Sequence, residues 1–250
     1  MTEAPLYHNP EYTFHYYCLI PHATDPCVLM LPDEAGWSLP HFVAREHHEA
    51  VVGHINQEME EQLGIHVTTL MCWSHSSDLD ARTVNRVYAL ENHSPTWDLP
   101  ANGRWIARED LPTLPTVRPE HRELIADRLL EAETGGIPPS RRPWAQAGWF
   151  DSASEWICAQ LAGLGFAAPA RIEQVRSWEW SCILRVHATV GQLYFKALPQ
   201  AFRHAPALTR LLADERPGSA PQLLALEEQR GWMLTQGFRG RPLEGERDST

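Results

Sequence analysis

Two glutamates three residues apart carry the clearest capacity for metal chemistry in this sequence. Glu58 and Glu61 lie in the stretch QEMEEQLGI, residues 57–65. Residues three apart lie on the same face of a helix, so both carboxylates would project in one direction. One or two carboxylates, completed by the phosphates of a substrate, are the usual protein ligands of Mg²⁺. The spacing therefore predicts a site for one hard divalent cation.

An amphipathic pattern predicts that both glutamates lie on one helix, over about 49–63. Gly64 is predicted to end that helix as its C′ residue. His54 is predicted to be an ion-pair neighbour of Glu58 one turn later rather than a metal ligand. Glutamate-rich helix faces are most often solvated surface, and that alternative stays open for this pair. The apolar residues that recur near the helical period, and form a predicted buried stripe, are Val52, Ile55, Met59 and Leu63.

The same stretch resembles the Nudix box, a pattern of Gly, five residues, Glu, seven residues, then Arg-Glu-U-x-Glu-Glu-x-Gly-U, where U is a bulky aliphatic residue. The positions that match are Glu49, Glu58, Met59, Glu61, Gly64 and Ile65. The positions that depart from the pattern are Val43 for Gly, Gln57 for Arg and Gln62 for the last Glu. The resemblance is therefore to an eroded box.

This resemblance implies a Nudix-like α/β/α sandwich with a mixed sheet. It also implies that Glu58 and Glu61 are catalytic and hold Mg²⁺, or Mn²⁺ in its place, which activates a water that attacks phosphorus. The implied activity is hydrolysis of a nucleoside diphosphate linked to another moiety. Because Gln62 removes one carboxylate, metal affinity and activity should be weakened. The alternative is a catalytically inactive Nudix-fold module that binds a nucleotide or a protein.

Short apolar runs predict strands on both sides of the box helix. The predicted strands cover residues 14–20, 27–31, 37–39, 66–75, 83–91 and 104–106. A last helix is predicted over 120–133. Its inward-facing residues are predicted to be Leu124, Ile125, Leu129 and Leu130. This order of elements fits a mixed sheet between helices.

A segment rich in glycine and proline, 135–143, is the clearest break in the chain. It predicts a Nudix-like domain over 1–134, a linker over 135–149 and a second domain over 150–250. In the second domain a capping box at Ser152–Glu155 predicts the start of a helix that runs to about Leu164. Predicted strands follow at 171–176, 180–189, 192–198, 222–226 and 232–235, with a helix over 205–213.

The stretches WSCILRV, residues 180–186, and GQLYFK, residues 191–196, resemble the amino-terminal lobe of aminoglycoside-phosphotransferase-like enzymes. The resemblance covers about residues 150–243 and implies five antiparallel strands with one helix. It implies that Lys196 is the third-strand lysine that contacts nucleotide phosphates. The helix glutamate that should pair with this lysine is replaced by Ala205.

Phosphoryl transfer also needs aspartates from a carboxyl-terminal lobe, which would follow Thr250. Kinase activity is therefore not expected from this chain alone. A truncated small-molecule phosphotransferase is the third functional hypothesis.

Composition limits the partners of the protein. A formal net charge of −11 over 250 residues disfavours binding to nucleic acid or to anionic membranes. The five cysteines show no paired C-x-x-C spacing, which argues against a zinc site. No signal peptide or membrane-length apolar run is recognised, so a cytoplasmic location is expected. The predicted partner is a small phosphorylated substrate or a nucleotide, and the oligomeric state is left open.

Overall fold

The structure, a computed structural model, describes residues 11–45 and 47–237. These residues fall into two compact units. One unit contains residues 11–45, 47 and 54–141, and the other contains residues 48–53 and 142–237. The short segment before the first helix therefore groups with the second half of the chain. The domain limits predicted from the sequence stay a prediction.

Two sheets form the framework of the first unit. Its strands are β1 (Thr13–Leu19), β2 (Cys27–Asp33), β3 (Gly36–Ser38), β4 (His41–Ala44), β5 (Val67–Asp78), β6 (Thr83–Asn92) and β7 (Arg104–Ala107). The four-stranded sheet has the order β4-β1-β6-β5 and is mixed, since β1 and β6 run parallel. The other sheet has the order β3-β2-β7 and is antiparallel. All six predicted strands are confirmed, each with ends shifted by up to three residues.

Two helices cover opposite faces of the mixed sheet. They are α1 (Gly53–Leu63) and α2 (His121–Thr134). Successive side chains of a strand point to opposite faces. Accordingly, Tyr16 packs against His54 of α1 with ring centroids 5.8 Å apart, whereas Tyr17 packs against His121 of α2 at 4.7 Å. This α+β arrangement agrees with the predicted mixed sheet between helices.

The inward face of α2 agrees with the prediction except at one position. Ile125 and Leu129 are buried in the core beside the β1 and β2 side chains. Leu130, predicted to face inward, is 44% exposed. The inward position on that turn is taken by Arg128, whose guanidinium lies over the Trp73 ring at 5.8 Å. A long cationic side chain can bury its stem in this way.

The start of α1 differs from the prediction because a non-local strand pairing takes up the residues before it. The amide of Val52 donates to the Val175 carbonyl at 3.1 Å, and the amide of Ser177 donates to the Ala50 carbonyl at 3.0 Å. Backbone groups that pair with residues 175 and 177 cannot also form helical hydrogen bonds, so α1 starts after them, at Gly53. A Cβ on Gly53 would lie 3.2 Å from the Gln174 carbonyl oxygen, which explains a glycine at this close approach.

The C-terminus of α1 follows the prediction. Gly64 adopts a φ of +68°, and its amide donates to the Glu60 carbonyl at 2.8 Å. A residue with positive φ at this position satisfies a carbonyl that the helix leaves unpaired. Gly64 is therefore confirmed as the residue that ends the helix.

An antiparallel five-stranded sheet forms the framework of the second unit. Its strands are β8 (Arg171–Trp178), β9 (Ser181–Ala188), β10 (Gly191–Ala197), β11 (Leu223–Glu227) and β12 (Trp232–Gln236), and its main helices are α3 (Trp149–Gly163) and α4 (Ala205–Glu215). The strand order is β11-β12-β10-β9-β8. The five predicted strands and both predicted helices are confirmed, with α3 starting three residues before its predicted start and α4 ending two residues after its predicted end.

The capping box predicted at Ser152–Glu155 does not begin α3. The helix starts at Trp149, after Gly148 with a φ of +80°, and no side chain caps its first turn. Trp149 and Phe150 are buried in the core of this unit. Burial of these two aromatic rings favours three further helical residues ahead of the predicted start.

The two faces of this sheet differ. On the face towards α3, Phe195 packs among Trp149, Trp156 and Trp232, with ring centroids 5.5–6.0 Å apart. On the opposite face α4 turns small side chains inward: Pro206 is buried, while Thr209 and Ala213 are partly buried. The large apolar side chains of α4 that are exposed instead are Leu208, Leu211 and Leu212. The α4 side of the sheet is therefore loosely covered.

No helix among the described residues combines the length and the apolar character needed to cross a bilayer.

Candidate functional site

The two box glutamates lie on α1, as predicted. Glu58 is partly buried and Glu61 is exposed. Ile55 and Met59, on the adjoining face of the helix, are fully buried. Burial of this apolar stripe fixes the rotation of α1 about its own axis. The two glutamates therefore lie at the edge of the buried face.

Two of the three residues that depart from the box pattern, Gln57 and Gln62, donate hydrogen bonds to the two carboxylates. Gln57 Nε2 donates to Glu61 Oε1 at 2.6 Å, and Gln62 Nε2 donates to Glu58 Oε1 at 2.7 Å. Both pairs are four residues apart, the spacing at which helix side chains meet. Each carboxylate is thus bonded to a neutral amide from the same helix. A carboxylate offers about four lone-pair sites, so each retains acceptor capacity for another partner.

A third protein ligand does not join this pair in the described part of the chain. No group of three or more His, Cys, Asp or Glu side chains there is arranged to hold a metal ion. Glu49, the first glutamate of the box pattern, precedes α1 on the segment 48–53 and is exposed. Two carboxylates on α1 are therefore the candidate donor set for a cation.

The layer beneath α1 contains buried polar rings. Neither ring nitrogen of His54 has a hydrogen-bond partner among the described residues, and burial lowers its pKa to about 4. His54 is therefore neutral and partly buried, with both ring nitrogens shielded from solvent, and its predicted role as an ion-pair neighbour is wrong. Tyr16 is bonded to Nδ1 of His47, and burial raises the pKa of the Tyr16 hydroxyl. Burial, with a smaller contribution from the Glu58 charge, raises the pKa of the Cys18 thiol.

Lys196 lies in the second unit, one residue before the end of β10. Its register partners are Ile183 on β9 and Met233 on β12. The side chain is partly buried and lines a cavity of about 230 Å³. Burial lowers the pKa of the Lys196 ammonium, and the positive charge of Arg176 lowers it further. Within residues 11–45 and 47–237, no carboxylate pairs with this ammonium.

One signal in the sequence could have identified this position without any resemblance. Lys196 is the single lysine of the chain, and the other cationic side chains of the Lys and Arg total are arginines. An ammonium is a compact charge, whereas a guanidinium is a wide planar fork. The hydroxyl residues that share the cavity, Thr209, Ser219 and Thr235, carry no comparable signal.

Comparison with known proteins gives fold likeness only. No protein-family model matches the chain, and no curated protein matches it. Among solved structures, a candidate oxidoreductase from Sinorhizobium meliloti is 18% identical, with a TM-score of 0.41, over 52% of this chain and 42% of that one. An ADP-ribose pyrophosphatase from Streptococcus suis is 15% identical, with a TM-score of 0.35, over 46% of this chain and 90% of that one. A NUDIX hydrolase from Nitrosomonas europaea is 15% identical, with a TM-score of 0.38, over 50% and 73%.

All three TM-scores lie below 0.5, and all three identities lie below 25%. These likenesses therefore assign neither a family nor an activity to the chain.

Proposed function

We propose that the first domain, residues 1–134, is a Nudix-like, Mg²⁺-dependent hydrolase of a nucleoside diphosphate linked to another moiety. The observation that supports this proposal is the placement of Glu58 and Glu61 three residues apart on one helix. That helix ends at a glycine with positive φ and packs on a mixed sheet. The partner would be a small phosphorylated molecule in the cytoplasm.

The residues present fit a weakly held cation. Two carboxylates with spare lone pairs supply hard oxygen ligands, and Mg²⁺ is commonly bound by that number, with water and substrate phosphates completing its shell. When bound, Mg²⁺ would lower the pKa of a coordinated water and neutralise phosphate charge. Glu58 and Glu61 would hold the ion. The Gln62 amide, hydrogen-bonded to Glu58, would orient that carboxylate without adding charge.

A catalytically inactive binding module is the second candidate, and one observation favours it. Gln57 and Gln62 already satisfy one oxygen of each carboxylate, so the helix is internally bonded without a metal. Each amide would compete with a cation for that oxygen. Such a module would bind a nucleotide or a protein without hydrolysing it.

A Mg²⁺ titration followed by thermal unfolding separates these two candidates. A ligand that binds only the native state adds RT ln(1 + L/Kd) to the free energy of unfolding, where L is the free ligand concentration, so the melting temperature rises with the logarithm of that concentration once it exceeds Kd. For a hydrolase, Mg²⁺ stabilises the wild type, Glu61→Gln abolishes the effect, and Gln62→Glu enlarges it because it adds a third carboxylate. Glu60→Gln is the matched control on the same helix and should behave like the wild type.

Turnover provides the second half of that experiment. Release of products from ADP-ribose and related nucleoside diphosphates should require Mg²⁺ and should fall at least tenfold in Glu61→Gln. Equal turnover in both proteins, or no Mg²⁺ stabilisation in any of the variants, removes the hydrolase proposal. The absence of stabilisation together with retained nucleotide binding supports the inactive module.

For the second domain, residues 150–250, the phosphate-contacting role of Lys196 stays a proposal. The support is the position of Lys196 on β10, the third strand of the five-stranded antiparallel sheet in chain order. The helix α4 follows β10 and precedes β11, the fourth strand in chain order. A phosphotransferase-like lobe would bind an ATP analogue, and Lys196→Ala would weaken that binding at least tenfold. Unchanged binding in Lys196→Ala would remove this role.

A further inference from the structure

The cavity on the α4 side of the second sheet is a second candidate site. It lies among β10, α4, the loop at 219–221 and β12. Its volume of about 230 Å³ is below the roughly 300–1,000 Å³ of pockets for drug-sized ligands. The cavity therefore suits a molecule of few atoms.

The charge in this cavity is not compensated by the described residues. Lys196 provides three N–H donors, and no carboxylate among residues 11–45 and 47–237 pairs with it. The positive charge of Arg176 adds to the effect of burial in lowering the Lys196 pKa. A partly buried ammonium without a counter-charge is destabilising. An anion placed in the cavity would remove that penalty, so the cavity favours a negatively charged group beside Lys196.

The hydroxyl groups around the cavity are oriented to accept hydrogen bonds. Thr209 Oγ1 donates to the Ala205 carbonyl at 2.9 Å, and Thr235 Oγ1 donates to the Tyr194 carbonyl at 3.3 Å. Ser219 Oγ donates to the Arg216 carbonyl at 2.7 Å. A hydroxyl has one donor and two acceptor lone pairs, so the oxygens of Thr209, Thr235 and Ser219 keep acceptor capacity only.

Tyr194 adds a hydrogen-bond donor to the polar lining of the cavity. Its hydroxyl accepts a hydrogen bond from Gln192 Nε2 at 2.5 Å, which leaves the O–H free to donate. Leu212, Pro221 and Met233 form the apolar part of the wall. The cavity therefore combines donors beside the ammonium, acceptors on α4 and β12, and a small apolar surface.

We propose that this cavity binds a small organic acid that also carries a hydroxyl or ammonium group. Its carboxylate pairs with Lys196 and accepts from the Tyr194 hydroxyl. Its hydroxyl or ammonium group donates to the oxygens of Thr209, Thr235 or Ser219. The ligand thereby supplies the negative charge that α4, with Ala205 as its first residue, does not place opposite Lys196. This inference is independent of the hydrolase proposed for the first domain, and it competes with the phosphate-contacting role of Lys196, since one ammonium would serve either ligand.

The single lysine makes a direct test possible. An amine-selective acylating reagent can modify the side-chain amine of Lys196 and the α-amino terminus, and mass spectrometry separates these two products. L-lactate, L-malate, L-serine and L-glutamate are offered at millimolar concentration to the full chain. At least one should slow acylation of Lys196 about tenfold while acylation of the α-amino terminus, the internal control, is unchanged.

Comparison ligands test the chemical class. Acetate has the carboxylate alone, and inorganic phosphate and a non-hydrolysable ATP analogue are phosphate sources. Protection by acetate equal to that by the best acid would overturn the requirement for a hydroxyl or ammonium group. Protection by phosphate or the ATP analogue alone would overturn the organic acid. No protection by any of these compounds would overturn the site.

Variants test the residues. Calorimetric affinity for the best acid should fall at least tenfold in Lys196→Met. Thr235→Val, which removes an acceptor oxygen at nearly constant volume, should weaken that acid severalfold and leave acetate unchanged. Far-UV circular dichroism establishes that both variants are folded, and Arg210→Met, on the exposed side of α4, is the control. Unchanged affinity in folded Lys196→Met would contradict the proposal.

Discussion

The acidic face of α1 and the cavity around Lys196 show two different ways of accommodating charge. On α1, the side-chain amides of Gln57 and Gln62 bond to the carboxylates four residues away, at an exposed helix surface. In the second unit, Lys196 is partly buried beside a cavity, and no described carboxylate pairs with it. The first set of charges is stable without a ligand. The second is destabilising until an anion arrives, so the cavity is the stronger indication of a binding site.

The largest effect is expected on the opposite side of the strand that carries Lys196. Phe195→Ala should lower the free energy of unfolding of the second unit by about 3–5 kcal/mol, because it leaves a cavity among Trp149, Trp156 and Trp232. Denaturant titration followed by tryptophan fluorescence measures the loss. Phe202→Ala, at a residue that is 36% exposed, is the control and should change stability by less than about 1 kcal/mol. Similar losses in both variants would contradict the assignment of the core to this face.

A pH-dependent effect is expected beneath α1. The pKa of His54 is about 4 in the folded protein, below the ordinary histidine value of 6.5, so the unfolded state binds more protons between these values. Stability is therefore fully present above pH 6.5 and is lost as the pH falls towards 4, by about 3 kcal/mol for this residue. His54→Leu should reduce that loss in chemical denaturation at pH 7 and pH 4.5.

Two other histidines provide comparisons for the His54→Leu variant. Burial also lowers the pKa of His121 to about 4, so part of the acid sensitivity should persist in His54→Leu. His75 is exposed, and His75→Leu should retain the full loss of the wild type. Equal acid sensitivity in His54→Leu and wild type would contradict the neutral state of the shielded His54 ring.

A smaller effect is expected when the uncompensated charge itself is removed. Lys196→Met should raise the free energy of unfolding by about 1 kcal/mol in the absence of ligand, the order expected for relief of an unsatisfied polar group. Because the folded pKa of Lys196 is lowered, the wild type should gain stability as the pH rises towards 10.5, and the variant should not. Urea titrations at pH 7 and pH 10 measure both differences. A loss of stability in Lys196→Met would show that a counter-charge is already present.

The smallest effect is expected on α1. In the presence of a chelator, Glu61→Gln should change the free energy of unfolding by no more than about 0.5 kcal/mol, because the side chain is exposed and bonded only to Gln57. Thermal unfolding of both proteins measures the difference. A loss well above this value without metal would mean that Glu61 has a structural role that the described contacts do not account for.

The local sequence pattern predicts most helices and strands. The predictions that fail do so because contacts with residues distant in the sequence decide where an element begins. The position of α1, its C-terminal glycine and the register of its buried stripe follow from residues 55–64 alone. Its start does not, because Ala50 and Val52 bond to residues more than a hundred positions later. The start of α3 escapes prediction for a related reason: Trp149 and Phe150 enter a core assembled from distant strands, and that burial outweighs the local capping pattern at Ser152.

The candidate sites also differ in whether local sequence or distant contacts determine them. The pairing of Gln57 with Glu61 is a local helix contact, so the sequence contains the information for it. The cavity beside Lys196 depends on the small residues that α4 turns towards β10 and β12, and these elements become neighbours only in the folded unit. The burial of His54 depends likewise on the Tyr16 ring of a strand that precedes it by more than thirty residues.

The backbone bonds that join residues 50–52 to β8 have a practical consequence for dissecting the chain. A fragment expressed from residue 142 onward would lack the segment that caps the outer side of this edge strand. The amide of Ser177 and the carbonyl of Val175 would then be open to pairing with another molecule, which is a common route to aggregation. Adding residues 48–53 back through a short flexible tether should restore monodispersity, because it blocks that edge.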